Sequence, residues 1–229
     1  MPGIGTLLNV FAVVVGAAVG VLLGSRLPPR VRETVMDGLG LLTFTLGITM
    51  AMKTDNFMVV LGAVLLGGLT GELLHIERGL ERLGDYFQAR LAAESSTFSA
   101  GFVTASLLFC VGPMAILGSL ADGLRGDIQI LAVKSVLDGF AALGFATTLG
   151  WGVAFSGLSL LVYQGALTLG AGAFQHVLTG PMIREMTAVG GIMVFGMGLR
   201  LLDLRAIRVA NFLPALVYAP LLVALAGRL

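Results

Sequence analysis

Eight apolar stretches of nearly membrane-spanning length follow one another along the chain. A helix rises about 1.5 Å per residue, so about 20 mostly apolar residues cross the hydrocarbon core of a bilayer. We therefore predict an all-α fold, a single-domain polytopic bundle of about eight transmembrane helices. The predicted spans are Gly5–Gly24, Val35–Met52, Phe57–Leu74, Phe98–Leu120, Ile128–Leu149, Gly152–Phe174, Met182–Leu202 and Val209–Ala226.

The second and seventh spans are the least regular, and the second is both short and interrupted by Gly38, Gly40 and Gly47. A segment of this kind either crosses the bilayer or turns back within it. If the second segment turns back, the chain has seven crossings, and every later segment lies on the opposite side of the membrane.

Composition supports a membrane protein, because only 12% of the 229 residues are charged and 57% are hydrophobic. Soluble domains carry about 25% charged residues. The net charge of +1 gives no electrostatic footprint for nucleic acid, so we expect a lipid bilayer and no nucleic acid as partner. The first apolar run continues to Leu23 without a cleavage motif, so we expect no cleavable signal peptide.

Basic residues indicate the orientation, since cytoplasmic loops are enriched in Lys and Arg. With eight spans, one side receives nine of the 14 basic residues, and we expect that side to be cytoplasmic and both termini to lie outside. The nine are Arg26, Arg30, Arg32, Arg78, Arg82, Arg90, Arg200, Arg205 and Arg208.

Residues 75–94 form an amphipathic pattern, with Ile76, Leu80, Leu83 and Phe87 spaced three or four apart. We predict a cytoplasmic helix in the plane of the interface. It is either a plain connector or a docking surface, and the pattern leaves both open.

A weak internal repeat relates the early and middle spans, since the Asp-Gly pair at Asp37 recurs at Asp138 with similar spacing to later Leu and Phe residues. Residues 5–74 and 98–174 would be two copies of three spans, with 182–226 outside them. Copies of three spans face opposite ways, and inverted repeats are typical of secondary transporters.

Lys134 and Asp138 lie well inside an apolar span, one helical turn apart, whereas the other charges within the predicted spans lie near span ends. Asp138 lies about 15 Å into its span, near the middle of a bilayer. A charge there costs about 2.5–3.5 kcal/mol. The pair is either an internal salt bridge that packs the bundle or a cation or proton site, with Lys134 as gate or counter-ion.

Other candidate ligands surround this pair in the sequence. Gly112 and Pro113 interrupt the fourth span and would free the carbonyls of Phe109 and Cys110 for a cation, unless the break is an ordinary proline kink. Cys110 itself suits an inert buried thiol.

The segment from Asp122 to Asp127 reads as an acidic turn that either collects cations at the outer mouth or is simply solvated. The hydroxyls of Ser119 and Thr147 either coordinate a cation or bond back to helix carbonyls.

Near the span ends, Glu185 is expected to be interfacial and to pair with Arg184. His75 and His176 fall on opposite sides in this topology, so we expect no metal site and no cofactor. Gly16, Gly20 and Gly24 form a stripe for close packing within the chain or between protomers. No sequence motif of a soluble enzyme occurs, so we expect no enzymatic activity.

The stretch CVGPMAILGSLADGLRGDIQILAVKSVLDGF at residues 110–140 resembles the bacterial YqgA/YdfK family, a domain of unknown function. Residues 31–41, 70–77 and 145–156 are similar to it too. The resemblance implies a multi-pass protein of the bacterial inner membrane, of a kind often described as a transport protein. It supplies no substrate.

These observations together predict a secondary transporter or channel-like protein for a small ion or solute, coupled to H⁺ or Na⁺. The alternative is a non-transporting membrane assembly or signalling protein that uses the amphipathic helix and the glycine stripes. The oligomeric state stays open, although a chain of this size commonly forms a homodimer.

Overall fold

The computed structural model describes residues 2–90 and 97–226, apart from the side chain of His176. This part of the chain is helical and contains no strand, which confirms the all-α prediction. Its elements are α1 (Ile4–Gly24), α2 (Pro29–Ala51), α3 (Phe57–Leu73), α4 (Ile76–Arg90), α5 (Phe98–Val111), α6 (Pro113–Arg125), α7 (Gln129–Leu149), α8 (Gly152–Leu169), α9 (Ala171–Val177), α10 (Gly180–Leu201), a 3₁₀ helix (Val209–Phe212) and α11 (Ala215–Ala226).

Six of these segments are long and apolar enough to cross a membrane by themselves: α1, α2, α7, α8, α10 and Val209–Ala226. Two bent pairs bring the number to as many as eight. The pair α3–α4 bends by 55° and the pair α5–α6 by 62°. The polytopic transmembrane architecture is therefore confirmed, with six to eight candidate spans.

The chain divides into two compact units. Unit 1 contains Met1–Leu39 and Glu81–His176, and unit 2 contains Gly40–Leu80 and Val177–Leu229. These boundaries do not coincide with the predicted repeats 5–74 and 98–174, and the inverted repeat stays a prediction.

In unit 1 the glycine stripe of α1 packs directly on the backbone of α7. A Cβ atom added to Gly20 would lie 2.2 Å from the carbonyl oxygen of Leu143, and Gly16 and Gly24 are equally close to α7. Successive contacts advance in the same direction on both helices, so α1 and α7 are parallel. The stripe is therefore used within the chain, which decides between the two alternatives that the sequence left open.

The helix α8 runs antiparallel to α1, since Thr6 meets Thr168 while Val14 meets Gly157. The helices α5 and α6 pack one after the other along α8 and run parallel to it. At the start of α8, Gly152 contacts the backbone of Phe98, the first residue of α5. At the other end Gly123 lies against Thr168. The bent pair α5–α6 thus follows α8 along its whole length and forms one broken span.

These directions bear on the irregular second span. Because α1 and α5 run in opposite directions, an even number of crossings must separate them. Crossings by both α2 and α3 satisfy this parity, whereas a re-entrant second span followed by one crossing does not.

Unit 2 contains two antiparallel helix pairs, α2 with α10 and α3 with α11, and glycine lies at both contacts. Gly47 of α2 lies against Phe195 of α10, and Gly67 of α3 lies against Ala215 of α11. Small and β-branched side chains fill the centre, so the helices approach closely. The buried core consists of Val60, Ala63, Ala188, Val189, Ala215 and Ala219.

The amphipathic segment predicted over 75–94 forms α4, and residues 91–94 lie outside the described part of the chain. Its second half belongs to unit 1, where the Phe87 ring contacts Phe102 and Phe155 at centroid distances of 6.0 and 5.7 Å. Part of the apolar face is thus covered by its own unit. Whether α4 lies in the membrane plane stays a prediction.

The predicted acidic turn from Asp122 to Asp127 is wrong in its first half. Residues up to Arg125 continue α6, and the chain turns only at Gly126, which has φ +66°. The N–H of Gly126 donates to the carbonyl of Asp122, which is the 5→1 bond of an αL C-cap and needs a left-handed residue. Gly126 supplies that conformation, whereas Gly123 serves helix packing.

Candidate functional site

The structure places Lys134 and Asp138 midway along α7, where Lys134 Nζ forms an ion pair with Asp138 Oδ2. The side chains are 5% and 13% exposed. The i, i+4 spacing stacks them on one helix face, so the contact follows from the local sequence.

A second helix contributes Asn9, whose amide nitrogen Nδ2 donates to Asp138 Oδ2 at 3.1 Å. The same nitrogen lies 3.4 Å from Oε1 of Gln164 on α8. Asn9 and Gln164 are both fully buried. Side chains of α1, α7 and α8 thus meet in what we call the central polar cluster: Asn9, Lys134, Asp138 and Gln164.

This cluster is not saturated. Asn9 Oδ1 and Gln164 Nε2 are buried and have no hydrogen-bond partner among the described residues. More than nine in ten buried polar groups in proteins have a partner, so two unpartnered atoms on residues that contact each other require an explanation. Asn9 Oδ1 is an acceptor and Gln164 Nε2 a donor, so each can bind a water molecule or a polar group of a small ligand.

The last turn of α5, which ends at the helix break, lies near Lys134. Lys134 Nζ is 6.0 Å from the centroid of the Phe109 ring near the end of α5, within the range of a cation–π contact. Gly112 is extended, with φ −71° and ψ 149°, and Pro113 begins α6. Proline has no N–H to donate to the Phe109 carbonyl, and a helix C-terminus favours a nearby cation.

Cys110 is a half-buried free thiol in electrostatic range of Lys134 and Asp138. Of the predicted ligands outside α7, Cys110 is therefore within electrostatic range of the pair, and Gly112 and Pro113 follow it at the helix break.

Further polar residues lie towards the amino end of α1. The hydroxyls of Thr6 and Thr168 are 3.3 Å apart, one turn from Asn9 and Gln164. Beyond them, Asp122 Oδ2 accepts the backbone N–H groups of Gly3 and Gly5 at 3.1 and 3.0 Å. Gly3 to Asn9 spans about 9 Å at 1.5 Å per residue. We call this row, from Asp122 through the two threonines to Asn9 and Gln164, the polar column.

Asp122 is fully buried at the amino end of α1, which corrects its predicted exposure in a turn. Its Oδ1 atom and the hydroxyl of buried Ser119, one turn earlier on α6, have no partner in the described part of the chain. The positive end of the α1 dipole compensates this carboxylate.

Two predicted ligands lie away from the cluster. Asp127 Oδ1 accepts the N–H of Gln129 in an exposed position, so it caps the start of α7 as a solvated turn residue. Thr147 is nine residues beyond Asp138, about 13 Å along the helix. Its hydroxyl donates to the Gly144 carbonyl at 2.7 Å, the back-bonding alternative.

A groove of about 520 Å³ in unit 1 lies along the opposite face of α8, lined by Phe102, Leu158, Tyr163 and their neighbours. Neither Lys134 nor Asp138 lines this groove, whereas the polar column reaches Asp138 through Asn9.

The described part of unit 2 contains two buried carboxylates, and both oxygens of each accept hydrogen bonds. Glu185 accepts the Thr54 hydroxyl at 2.6 Å and the N–H groups of Asp55 and Asn56 at 2.8 and 3.1 Å. The predicted pairing with Arg184 is wrong, because Arg184 binds Asp55 instead and leaves Glu185 to hold the loop between α2 and α3.

Glu77 is the second buried carboxylate, and no sequence pattern predicted its burial. It accepts from Arg200 at 2.6 Å and from the N–H of Ala210 at 2.7 Å, while its own N–H donates to Asn211. This network fixes the segment that precedes α11.

Asn9 and Gln164 are the site residues that sequence reasoning missed. Each is an uncharged amide inside an apolar span, and that was the available signal, since polar side chains between membrane helices commonly bond across them. The side chain of His176 lies outside the described part of the chain, so its separation from His75 stays a prediction.

Six to eight candidate spans with charged and amide side chains between them define a polytopic membrane protein. The chain belongs to the family described as "Protein of unknown function (DUF554)", whose model matches residues 4–224.

It is 35% identical over 223 residues to the uncharacterized protein YqgA of Escherichia coli, covering 94% of each chain. It is also 28% identical over 223 residues to the uncharacterized membrane protein YdfK of Bacillus subtilis, covering 96% of this chain and 95% of YdfK. No solved structure matches it significantly.

Proposed function

We propose that the protein is a secondary transporter or channel-like protein for a small ion or solute in the bacterial cytoplasmic membrane. Asp138 is the central carboxylate and Lys134 its partner. The observation that carries the proposal is an ion pair midway along α7 whose neighbours Asn9 and Gln164 keep unpartnered polar atoms. No catalytic step belongs to the proposal.

A purely structural ion pair would be expected to have its surroundings satisfied, because an unpaired buried polar atom costs about 1–3 kcal/mol. Here Asn9 Oδ1 and Gln164 Nε2 have no protein partner among the described residues. A site that exchanges its occupant accounts for it, since the partners of Asn9 Oδ1 and Gln164 Nε2 are then water or ligand rather than protein.

Proton coupling fits the geometry better than sodium coupling. Hard cations such as Na⁺ need several oxygen ligands, whereas Asp138 Oδ2 faces the ammonium of Lys134 and the NH₂ group of Asn9. Both are donors and repel a metal cation. A proton needs only one acceptor, and its arrival at Asp138 neutralises the carboxylate and releases Lys134 from the pair.

The other ionisable groups around the pair belong to α5 and α8. Cys110 of α5 interacts with both Lys134 and Asp138, and Tyr163 of α8 interacts with Cys110. On α1 and α6 the nearest group of this kind is Asp122, at the far end of the polar column. Asp138 is therefore the carboxylate through which a proton would act on Lys134.

Access in this mechanism follows the polar column, whose hydroxyls and amides relay a proton through intervening water. The break at Gly112 and Pro113 is the joint about which α6 moves relative to α5 when the ion pair opens. Gly112 has open space around it, since an added Cβ would meet nothing within 4 Å.

Proteoliposomes with a pH-sensitive dye inside test the proposal under an imposed pH gradient, with valinomycin and K⁺ to balance charge. We expect wild-type protein to carry protons and Asp138→Asn to carry them at least about tenfold more slowly. Asp127→Asn is the matched control, because it removes the same charge from an exposed turn.

Equal proton flux in wild type and Asp138→Asn would remove Asp138 from the mechanism. Flux that follows a Na⁺ gradient without moving protons would contradict the choice of coupling ion. A wild type that carries neither would contradict transport of these ions.

The alternative function, membrane assembly or signalling, is favoured by the charged face of α4, where Arg78, Arg82 and Asp85 are exposed. It predicts that Asp138→Asn alters stability with no dependence on ions. Thermal unfolding across a panel of ions and metabolites separates the two, since a ligand that binds the folded state raises its apparent stability.

A further inference from the structure

A groove of about 440 Å³ lies on unit 2 between α3 and the segment that joins α10 to α11. One wall is apolar and is formed by side chains of α3 and the 3₁₀ helix, with Gly68 making room for the Phe212 ring. The apolar lining residues are Val64, Leu65, Leu69, Ile207 and Phe212.

Two arginines stand at one end of this groove and differ in their contacts. Arg208 donates to Glu72 Oε1 at 2.6 Å, and the other oxygen of Glu72 accepts from Asn211 at 2.7 Å. Arg205 lines the groove, and its guanidinium forms no hydrogen bond or ion pair with any described residue. Both oxygens of Glu72 are already engaged, so the charge of Arg205 is left uncompensated.

The groove also has a direction relative to the bilayer. Glu72 is next to the last residue of α3, which ends at Leu73, whereas Leu65 and Leu69 lie one to two turns earlier in the same span. At about 1.5 Å per residue the groove extends roughly 10 Å from the helix end towards the hydrocarbon. It is charged at the end of the span and apolar farther in.

We propose that this groove binds an anionic phospholipid of the surrounding leaflet, with its phosphate at Arg205 and an acyl chain along Leu65 and Leu69. A guanidinium matches the geometry of phosphate oxygens, and basic residues at helix ends attract anionic headgroups. Leu65 and Leu69 are 58% and 65% exposed, so a chain can reach them. The site lies entirely within unit 2 and is independent of the proposed transport.

Native mass spectrometry of the detergent-purified full chain, titrated with phosphatidylglycerol or phosphatidylcholine of equal chain length, tests this assignment. We expect wild type to prefer phosphatidylglycerol. The variant Arg205→Gln should lose about fivefold in that preference, the factor expected for one basic residue near an anionic headgroup. Arg26→Gln is the matched control, since Arg26 is an exposed arginine that makes no ion pair among the described residues.

A second variant checks the chain-binding wall. Leu65→Ser should weaken both lipids, while thermal unfolding shows that the fold is intact. Equal binding of both lipids by wild type would overturn the proposal, as would equal losses in Arg205→Gln and Arg26→Gln, which indicate diffuse attraction. Competition by inorganic phosphate as strong as by the lipid would assign the site to a free anion instead.

Discussion

The central polar cluster of unit 1 and the buried carboxylates of unit 2 both hold charge away from water, but they differ in how completely that charge is hydrogen-bonded. Glu185 receives three hydrogen bonds from one loop, and both carboxylate oxygens of Glu77 are occupied. Asp138 instead shares a single oxygen between Lys134 and Asn9, and atoms around it stay unpartnered.

This difference distinguishes two uses of buried charge. A saturated carboxylate fixes a connection between helices, because any movement breaks several charge-assisted bonds at once. An unsaturated cluster can exchange partners at smaller cost, which is what a site for a moving proton requires. Two consequences can be tested. Stability should depend on the complete hydrogen bonding of the carboxylates in unit 2, and proton flux should depend on the incomplete hydrogen bonding of the polar cluster in unit 1.

The largest effect is expected at the ion pair. Asp138→Leu strands the Lys134 ammonium and should lower the free energy of unfolding by about 3–5 kcal/mol. Adding Lys134→Met removes the remaining charge and should restore most of that loss. Thermal unfolding in detergent measures both. A double variant as unstable as the single one would show that the stranded charge is not the cause.

In unit 2, replacing both members of a buried ion pair by apolar residues should not restore stability. Glu77→Leu combined with Arg200→Met still leaves the N–H of Ala210 without its acceptor, which costs about 1–3 kcal/mol. We therefore expect the double variant to unfold at a lower temperature than wild type. Wild-type stability in this variant would mean that the Glu77 network is dispensable and the proposed contrast does not hold.

Glu185→Gln tests the loop between α2 and α3. The neutral amide accepts more weakly from Thr54 and the loop N–H groups, and we expect a loss of about 1–2 kcal/mol with proton flux unchanged. Asp55→Asn is the control, because its ion pair with Arg184 is exposed and such pairs contribute about 0–1 kcal/mol. A changed flux in Glu185→Gln would tie this carboxylate to transport.

The smallest stability effect is expected for Gln164→Met. Methionine is similar in size and removes the unpartnered Nε2 atom, so the free energy of unfolding should stay within about 1 kcal/mol. Proton flux should nevertheless fall several-fold, because the polar column is interrupted. Gln129→Met, at an exposed position, is the control. Unchanged flux in Gln164→Met would place the path elsewhere.

Much of the fold follows from local sequence. The first predicted span differs from α1 by one residue, and the fifth differs from α7 by one residue. The second span begins earlier than predicted, at Pro29, because the polar first turns of α2 are helical although they are not apolar. Gly170 separates α8 from α9 inside the predicted sixth span, and a bend of 62° divides the fourth.

The site was only partly predictable. Lys134 and Asp138 are one turn apart, so the helical period alone brings them together. Asn9 reaches Asp138 across 129 positions and Gln164 across 155, and no periodicity within one helix indicates such a contact. Arg184 was predicted to pair with its neighbour Glu185 but pairs with Asp55, and this contact too joins residues far apart in the sequence.

The sequence by itself determined that this chain crosses a membrane several times and holds an acid and a base in the middle of one crossing, because hydrocarbon length and helical spacing are local properties. Only the tertiary structure decided which buried charges are saturated. That choice depends on which helix faces meet, and it separates Glu77 and Glu185 from Asp138.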